Sequence, residues 1–246
     1  MKTLSIPAGD RNLPAWLHPC SSPASPCLVV CHGFCGSPEG GSSLELADAI
    51  NKLNIATLRF SFTPHSSLSR QVTEIEAVVN FCRTNLHGPA ALLGRSMGAA
   101  ASLVFAASGA VLSGLILMAS PADLPATFSG ILGDDYARLE QGQAVTVFHE
   151  GQPVHLTPDF IKDLKKPDLF LAAASLNGLP LLVVHGMEDE TVPPDHGRLL
   201  YEKAGHPKEL LLLPGVSHSF SGQARHFVPQ IAAWLERQVF PRFLVV

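Results

Sequence analysis

The chain has 246 residues, a net charge of −4, and 46% hydrophobic against 15% charged residues. This length fits one large α/β domain or two small ones, of which a single domain (1–246) is expected, and the apolar fraction is ample for a buried core. An acidic balance with scattered Lys and Arg excludes a polyanion-binding surface, so no nucleic-acid partner is expected.

Residues 1–20 read as irregular, with short strands near Leu4 and Trp16. The opening segment 1–7 lacks the apolar stretch of a secretory signal, so a cytoplasmic protein is expected. A Ser/Pro-rich turn at 21–26 leads into the apolar run 27–31, expected to be a central strand, and then into the loop His32-Gly33-Phe34-Cys35-Gly36-Ser37. The five cysteines are Cys20, Cys27, Cys31, Cys35 and Cys82, an odd number with no C-x-x-C pair. They read as buried free thiols acting as small apolar residues, and neither a metal nor a cofactor is expected.

A helix is expected at 43–53 and a strand at 55–60. Leu68, Val72, Ile75, Val79 and Cys82 recur at three- and four-residue spacing, which marks an amphipathic helix ending near His87-Gly88. A strand at 90–93, a small-residue helix at 97–107 and a strand at 115–118 follow. The apolar stretch 99–120 is broken by Gly109 and Gly114 and by three serines, so no membrane partner is expected. A strand at 181–184, a helix near 194–204, a strand at 210–213 and a helix at 223–237 complete the series. The apolar segment 240–246 reads as packing against its own domain. Alternation of strand and helix points to a mostly parallel sheet flanked by helices. The interval 121–177 breaks the alternation and reads as a cap-like insertion over the carboxyl edge of the sheet, where α/β proteins bind ligands.

Gly94-Arg95-Ser96-Met97-Gly98 lies between an expected strand and an expected helix. A serine at such a turn is held in a strained conformation, and the residues two away on each side must be small. Ser96 is therefore the candidate nucleophile, and it needs a base and a group to orient that base. Glu188, Asp189, Glu190 and Asp195 all follow the strand at 181–184, and position alone does not choose among them. His218 follows the strand at 210–213 at the same edge and is the candidate base. His206 lies at the opposite edge, His226 inside a helix, and His32 precedes the nucleophile, where bracing its loop is the expected role. The backbone N–H groups of Met97 and Phe34 are the candidate oxyanion donors.

His32-Gly33-Phe34, the Ser96 pentapeptide, His185-Gly186 with Asp189 and Val192-Pro193, and Gly215 with His218 together resemble the α/β-hydrolase superfamily. The likeness runs over 27–235 and is closest to the small esterase and prolyl-oligopeptidase-like branches, including cinnamoyl and feruloyl esterases. In that family the acid stands four residues after the histidine of the His-Gly pair, so the resemblance selects Asp189. It implies a carboxylic-ester hydrolase acting on a small-molecule ester through an acyl-enzyme, with Ser96, His218 and Asp189 as a triad. A peptidase or thioesterase with the same triad, and a non-catalytic binding protein on the same fold, are the alternatives. The segment 59–66 departs from the family, which carries a glycine-rich stretch there.

Overall fold

The computed structural model describes residues 1–20, 25–40 and 42–241. The expected turn at 21–26 therefore falls mostly outside the described residues, as does the C-terminal segment beyond residue 241.

Instead of an irregular start, the chain opens with a long hairpin, β1 (Lys2–Ala8) and β2 (Arg11–His18), paired antiparallel from Lys2–Leu17 to Ala8–Arg11. Ile6, Ala8, Leu13, Ala15 and Leu17 alternate inward, with period two. The prolines at 7 and 14 obscure this pattern in the sequence. Both are tolerated: β1 is the sheet edge, and β2 pairs with its other neighbour only from Ala15 onward.

There follow β3 (Cys27–Cys31), α1 (Ser43–Asn51), β4 (Ala56–Phe60), α2 (Leu68–Asn85), β5 (Ala90–Arg95), α3 (Met97–Ala107) and β6 (Gly114–Met118). After an intervening segment come β9 (Leu181–Gly186), α8 (Pro194–Lys203), β10 (Lys208–Leu213) and α9 (Ala224–Trp234), which runs into a π-helical turn (Leu235–Val239). The segment between holds α4 (Leu124–Leu132), α5 (Asp134–Glu140), the hairpin β7 (Val145–His149) and β8 (Gln152–Leu156), α6 (Pro158–Leu164) and α7 (Leu169–Ser175).

The main sheet has the order β1-β2-β4-β3-β5-β6-β9-β10, and every pair from β4 to β10 is parallel. β3 and β5 are wholly or almost wholly buried, as strands covered on both faces must be. One core face, under α2, α3 and the intervening segment, gathers Val29, Leu58, Leu92 and Leu117; the other, under α1 and α9, gathers Leu28, Leu93, Ile116 and Trp234. Phe240 is buried in the second. From β3 the chain steps outward to β4, then crosses back to β5 on the other side. That reversal opens a crevice beyond the carboxyl ends of β3 and β5, the place where such sheets bind ligands.

Among the described residues no helix is long and apolar enough to cross a membrane.

Candidate active site

Ser96 caps α3 directly after β5, with φ 54° and ψ −124°. A non-glycine residue held there is strained and persists only where its surroundings over-determine it. Ser96 N–H donates to the Met118 carbonyl at 2.9 Å, and the Ser96 carbonyl accepts from Ala99 and Ala100 N–H at 2.9 and 3.2 Å. The turn also needs its two glycines. A Cβ at Gly98 would stand 2.2 Å from the His32 carbonyl oxygen, and one at Gly94 would stand 2.5 Å from the Gly98 carbonyl oxygen. Elbow and β3 loop therefore touch backbone to backbone, and Ser96 is half-buried between them.

His218 and Asp189 come from the neighbouring strand ends. Asp189 lies just past β9 and His218 just past β10, and His218 Nδ1 sits 2.8 Å from Asp189 Oδ2. The other carboxylate oxygen accepts from the backbone N–H of Thr191 at 3.0 Å and of Val192 at 2.8 Å. Burial works to raise the Asp189 carboxyl, but bonding to His185, His218 and the Val192 N–H outweighs it and holds the group far below the usual carboxylate range. The carboxylate fixes Nδ1 as the protonated nitrogen of neutral His218 and leaves Nε2 as the basic end.

Of the four carboxylates left open by position, only Asp189 meets His218. Glu188 instead accepts from Gly215 N–H at 2.6 Å, and Asp195 lies 3.5 Å from Arg198 Nε. Through Glu188 the acid loop is sewn to the histidine loop, and Gln223 braces the latter from both sides, at Ser217 N–H and the Gly215 carbonyl. His185 lies 3.5 Å from Asp189 Oδ2, its Nε2 bonded at 2.8 Å to the Val192 carbonyl. Among the described residues Ser96 Oγ has no hydrogen-bond partner.

His32 takes the bracing position expected from sequence. Its Nε2 accepts from Phe62 N–H at 3.1 Å, so Nδ1 carries the proton and donates to the Gly33 carbonyl at 2.8 Å. Burial pushes its pKa down to about 4, which keeps the ring neutral. The Gly33 carbonyl also accepts from Gly36 N–H at 3.0 Å. Because a trans peptide is planar, pinning that carbonyl fixes the opposite direction of the Phe34 N–H. Among the described residues neither Phe34 N–H nor Met97 N–H has an acceptor. Phe34 packs its ring against Phe128 and Phe160 of the 121–177 segment, with centroids 5.2 and 5.4 Å away.

The unusual segment 59–66 is held by a residue the sequence did not single out. Glu74, fully buried on α2, accepts from Thr63 N–H at 3.0 Å, from the Thr63 hydroxyl, and from Arg70 Nε at 2.8 Å. The partner of Arg95 was likewise not indicated by sequence: its Nη1 donates to the Ser219 carbonyl at 2.6 Å. Beside Gly33 and Phe34 opens a cavity of about 230 Å³, walled by 61–66, Gln71 and the tip of the β7–β8 hairpin. Among the described residues no group of three or more His, Cys, Asp or Glu is placed to hold a metal ion.

This architecture recurs in solved structures. Est1E from Butyrivibrio proteoclasticus superposes with a TM-score of 0.82 at 18% identity, covering 97% of this chain and 99% of that one. The chain has the α/β-hydrolase fold. The esterase domain of a Rhodothermus marinus protein shares that fold, with a TM-score of 0.75, 23% identity, and coverage of 97% and 98%. In sequence, a 53-residue segment is 40% identical to the uncharacterized protein YfhR of Escherichia coli (strain K12), spanning 22% of this chain but only 19% of that relative. No family model matches the chain.

Proposed function

We propose that this protein is a serine hydrolase that cleaves small-molecule carboxylic esters through an acyl-enzyme. The observation that carries the reading is the His218–Asp189 pair, hydrogen-bonded at 2.8 Å and delivered to the same sheet edge as the strained Ser96. His218 Nε2 takes the proton from Ser96 Oγ as the oxygen attacks the ester carbonyl. Asp189 keeps the imidazole in the reactive tautomer and stabilises the imidazolium that forms. The N–H groups of Phe34 and Met97 receive the developing oxyanion; their lack of a protein acceptor supports this role. His218 then returns the proton to the departing alcohol. Water repeats the sequence on the acyl-enzyme, and no cofactor enters.

A peptidase of the same fold anchors a substrate terminus with a free charge. Arg95 is engaged by the Ser219 carbonyl, and Asp135 is paired with Arg138 at 2.8 Å, which favours the ester reading. All five cysteines are unpaired, which suits the reducing cytoplasm. The test is hydrolysis of a short p-nitrophenyl ester by the wild type and by Ser96→Ala. Turnover that disappears in the variant supports the reading; equal turnover refutes it.

A further inference from the structure

The cavity beside the oxyanion loop is lined by polar groups that the fold leaves unmatched. Among the described residues seven buried side-chain atoms lack a hydrogen-bond partner. Two of them, Ser66 Oγ and Gln71 Oε1, belong to residues that line this cavity, and none of the other five does. Ser66 is 8% exposed and Gln71 3%. Leaving such atoms without a partner is costly, and each one in a native structure calls for an explanation. The neighbouring Thr63 is, by contrast, satisfied by Glu74 through both its N–H and its hydroxyl.

The cavity also reaches the loop that touches Ser96, although Ser96 itself is not among its lining residues. Gly33 and Phe34 belong to its wall, and a Cβ at Gly33 would lie 3.0 Å from Ser96 Cβ. Gln71 reaches the elbow as well, with Nε2 3.8 Å from Met97 Sδ. We propose that this cavity is the subsite for a hydroxyl-bearing group next to the scissile ester, held by Ser66 and Gln71. The proposal rests on the hydrolase reading and adds the substrate class to it.

The donor and acceptor inventory calls for a group that donates a hydrogen bond, which the hydroxyl of a neutral ester does. Gln71 Oε1 can only accept, so its partner must donate, whereas the Ser66 hydroxyl can do either. A plain alkyl chain leaves both unpaired. A carboxylate would face the Gln71 oxygen and Glu150, and no Lys or Arg is among the described lining residues to offset it. His32 contributes shape alone, since both its ring nitrogens are engaged. The terminal torsion of glutamine is soft, so a small rotation turns Oε1 toward a ligand.

The hydroxyl can belong to the acyl chain or to the alcohol, and matched ester pairs separate the two. Methyl 3-hydroxybutyrate against methyl butyrate tests the acyl side; glycerol monobutyrate against propyl butyrate tests the alcohol side. Binding of intact esters is measured by calorimetry on Ser96→Ala, and kcat/KM on the wild type. We expect at least one hydroxylated ester to bind roughly tenfold more tightly than its partner. That preference should shrink to near unity in Ser96→Ala carrying Gln71→Met, and separately in Ser96→Ala carrying Ser66→Ala. Equal or undetectable binding within both pairs, or a preference that survives both substitutions, overturns the subsite. A binding preference without wild-type turnover would leave the subsite standing and sink the hydrolase reading. Turnover without preference would do the reverse.

Discussion

Arg95 Nη1 donates to the Ser219 carbonyl at 2.6 Å, joining the residue before Ser96 to the residue after His218. The two loops come from strands separated by two others in the sheet, β5 and β10. This bond is a direct tie between them. Burial works to lower the guanidinium pKa, yet arginine stays charged at any pH of interest, so titration does not remove the tie. Arg95→Met should lower kcat on a short ester roughly tenfold with little change in thermal stability, because positioning rather than the core is lost. Steady-state kinetics beside a melting curve checks this.

Among the described residues Asp189 is the only carboxylate placed against His218, so substitutions along its loop should differ sharply. Asp189→Asn leaves the shape but favours the wrong imidazole tautomer, and should cost on the order of 10³ to 10⁴ in kcat. Asp195→Asn, on an exposed pair with Arg198, should change kcat by less than about twofold. Similar losses in both variants would reassign the acid.

His32 makes stability depend on pH in a defined direction. Its pKa is pushed down to about 4 in the folded protein, from 6.5 as the reference value. Between these values the unfolded chain binds the extra proton, so stability rises with pH and is lost as pH falls from 6.5 toward 4. The loss from pH 7 to pH 5 is about 2 kcal/mol. Urea unfolding at the two pH values should show it, and His32→Gln should remove that part of the slope. The lowered Asp189 carboxyl acts in a separate window: its contribution is complete above its reference value of 3.8 and declines as pH falls below.

Gly98→Ala tests the backbone contact between the elbow and the loop after β3. The added Cβ would sit 2.2 Å from the His32 carbonyl oxygen, so one of two main-chain segments must move. We expect a loss of about 2 to 4 kcal/mol in stability, and activity reduced beyond what lost folding explains. Gly130→Ala, where a Cβ meets nothing within 4 Å, is the control and should be neutral or slightly stabilising.

Much of this was legible because the signals are local. The strand at 27–31 and the helix at 97–107 appear where apolar runs and small-residue patterns put them. The elbow announces itself through two glycines that the backbone demands. The N-terminal hairpin was obscured by Pro7 and Pro14, which weaken a strand signal without preventing edge pairing. The β7–β8 hairpin was overlooked although its signature is present: Val145 and Val147, then Val154 and Leu156, flank Glu150-Gly151, both at positive φ as a two-residue loop requires. The bracing roles of Glu74 and Arg95 could not be found from sequence. Each looks like an ordinary helix or loop charge until folding brings up its partner, eleven residues away for Glu74 at Thr63 and 124 away for Arg95 at Ser219.

The central claim is that Ser96 is an activated nucleophile. A fluorophosphonate probe followed by peptide mass spectrometry tests it without assuming any substrate. The account predicts one adduct, on Ser96, formed far more slowly in His218→Ala and absent in Ser96→Ala. No adduct on the folded wild-type protein, or an adduct on another residue, would contradict it.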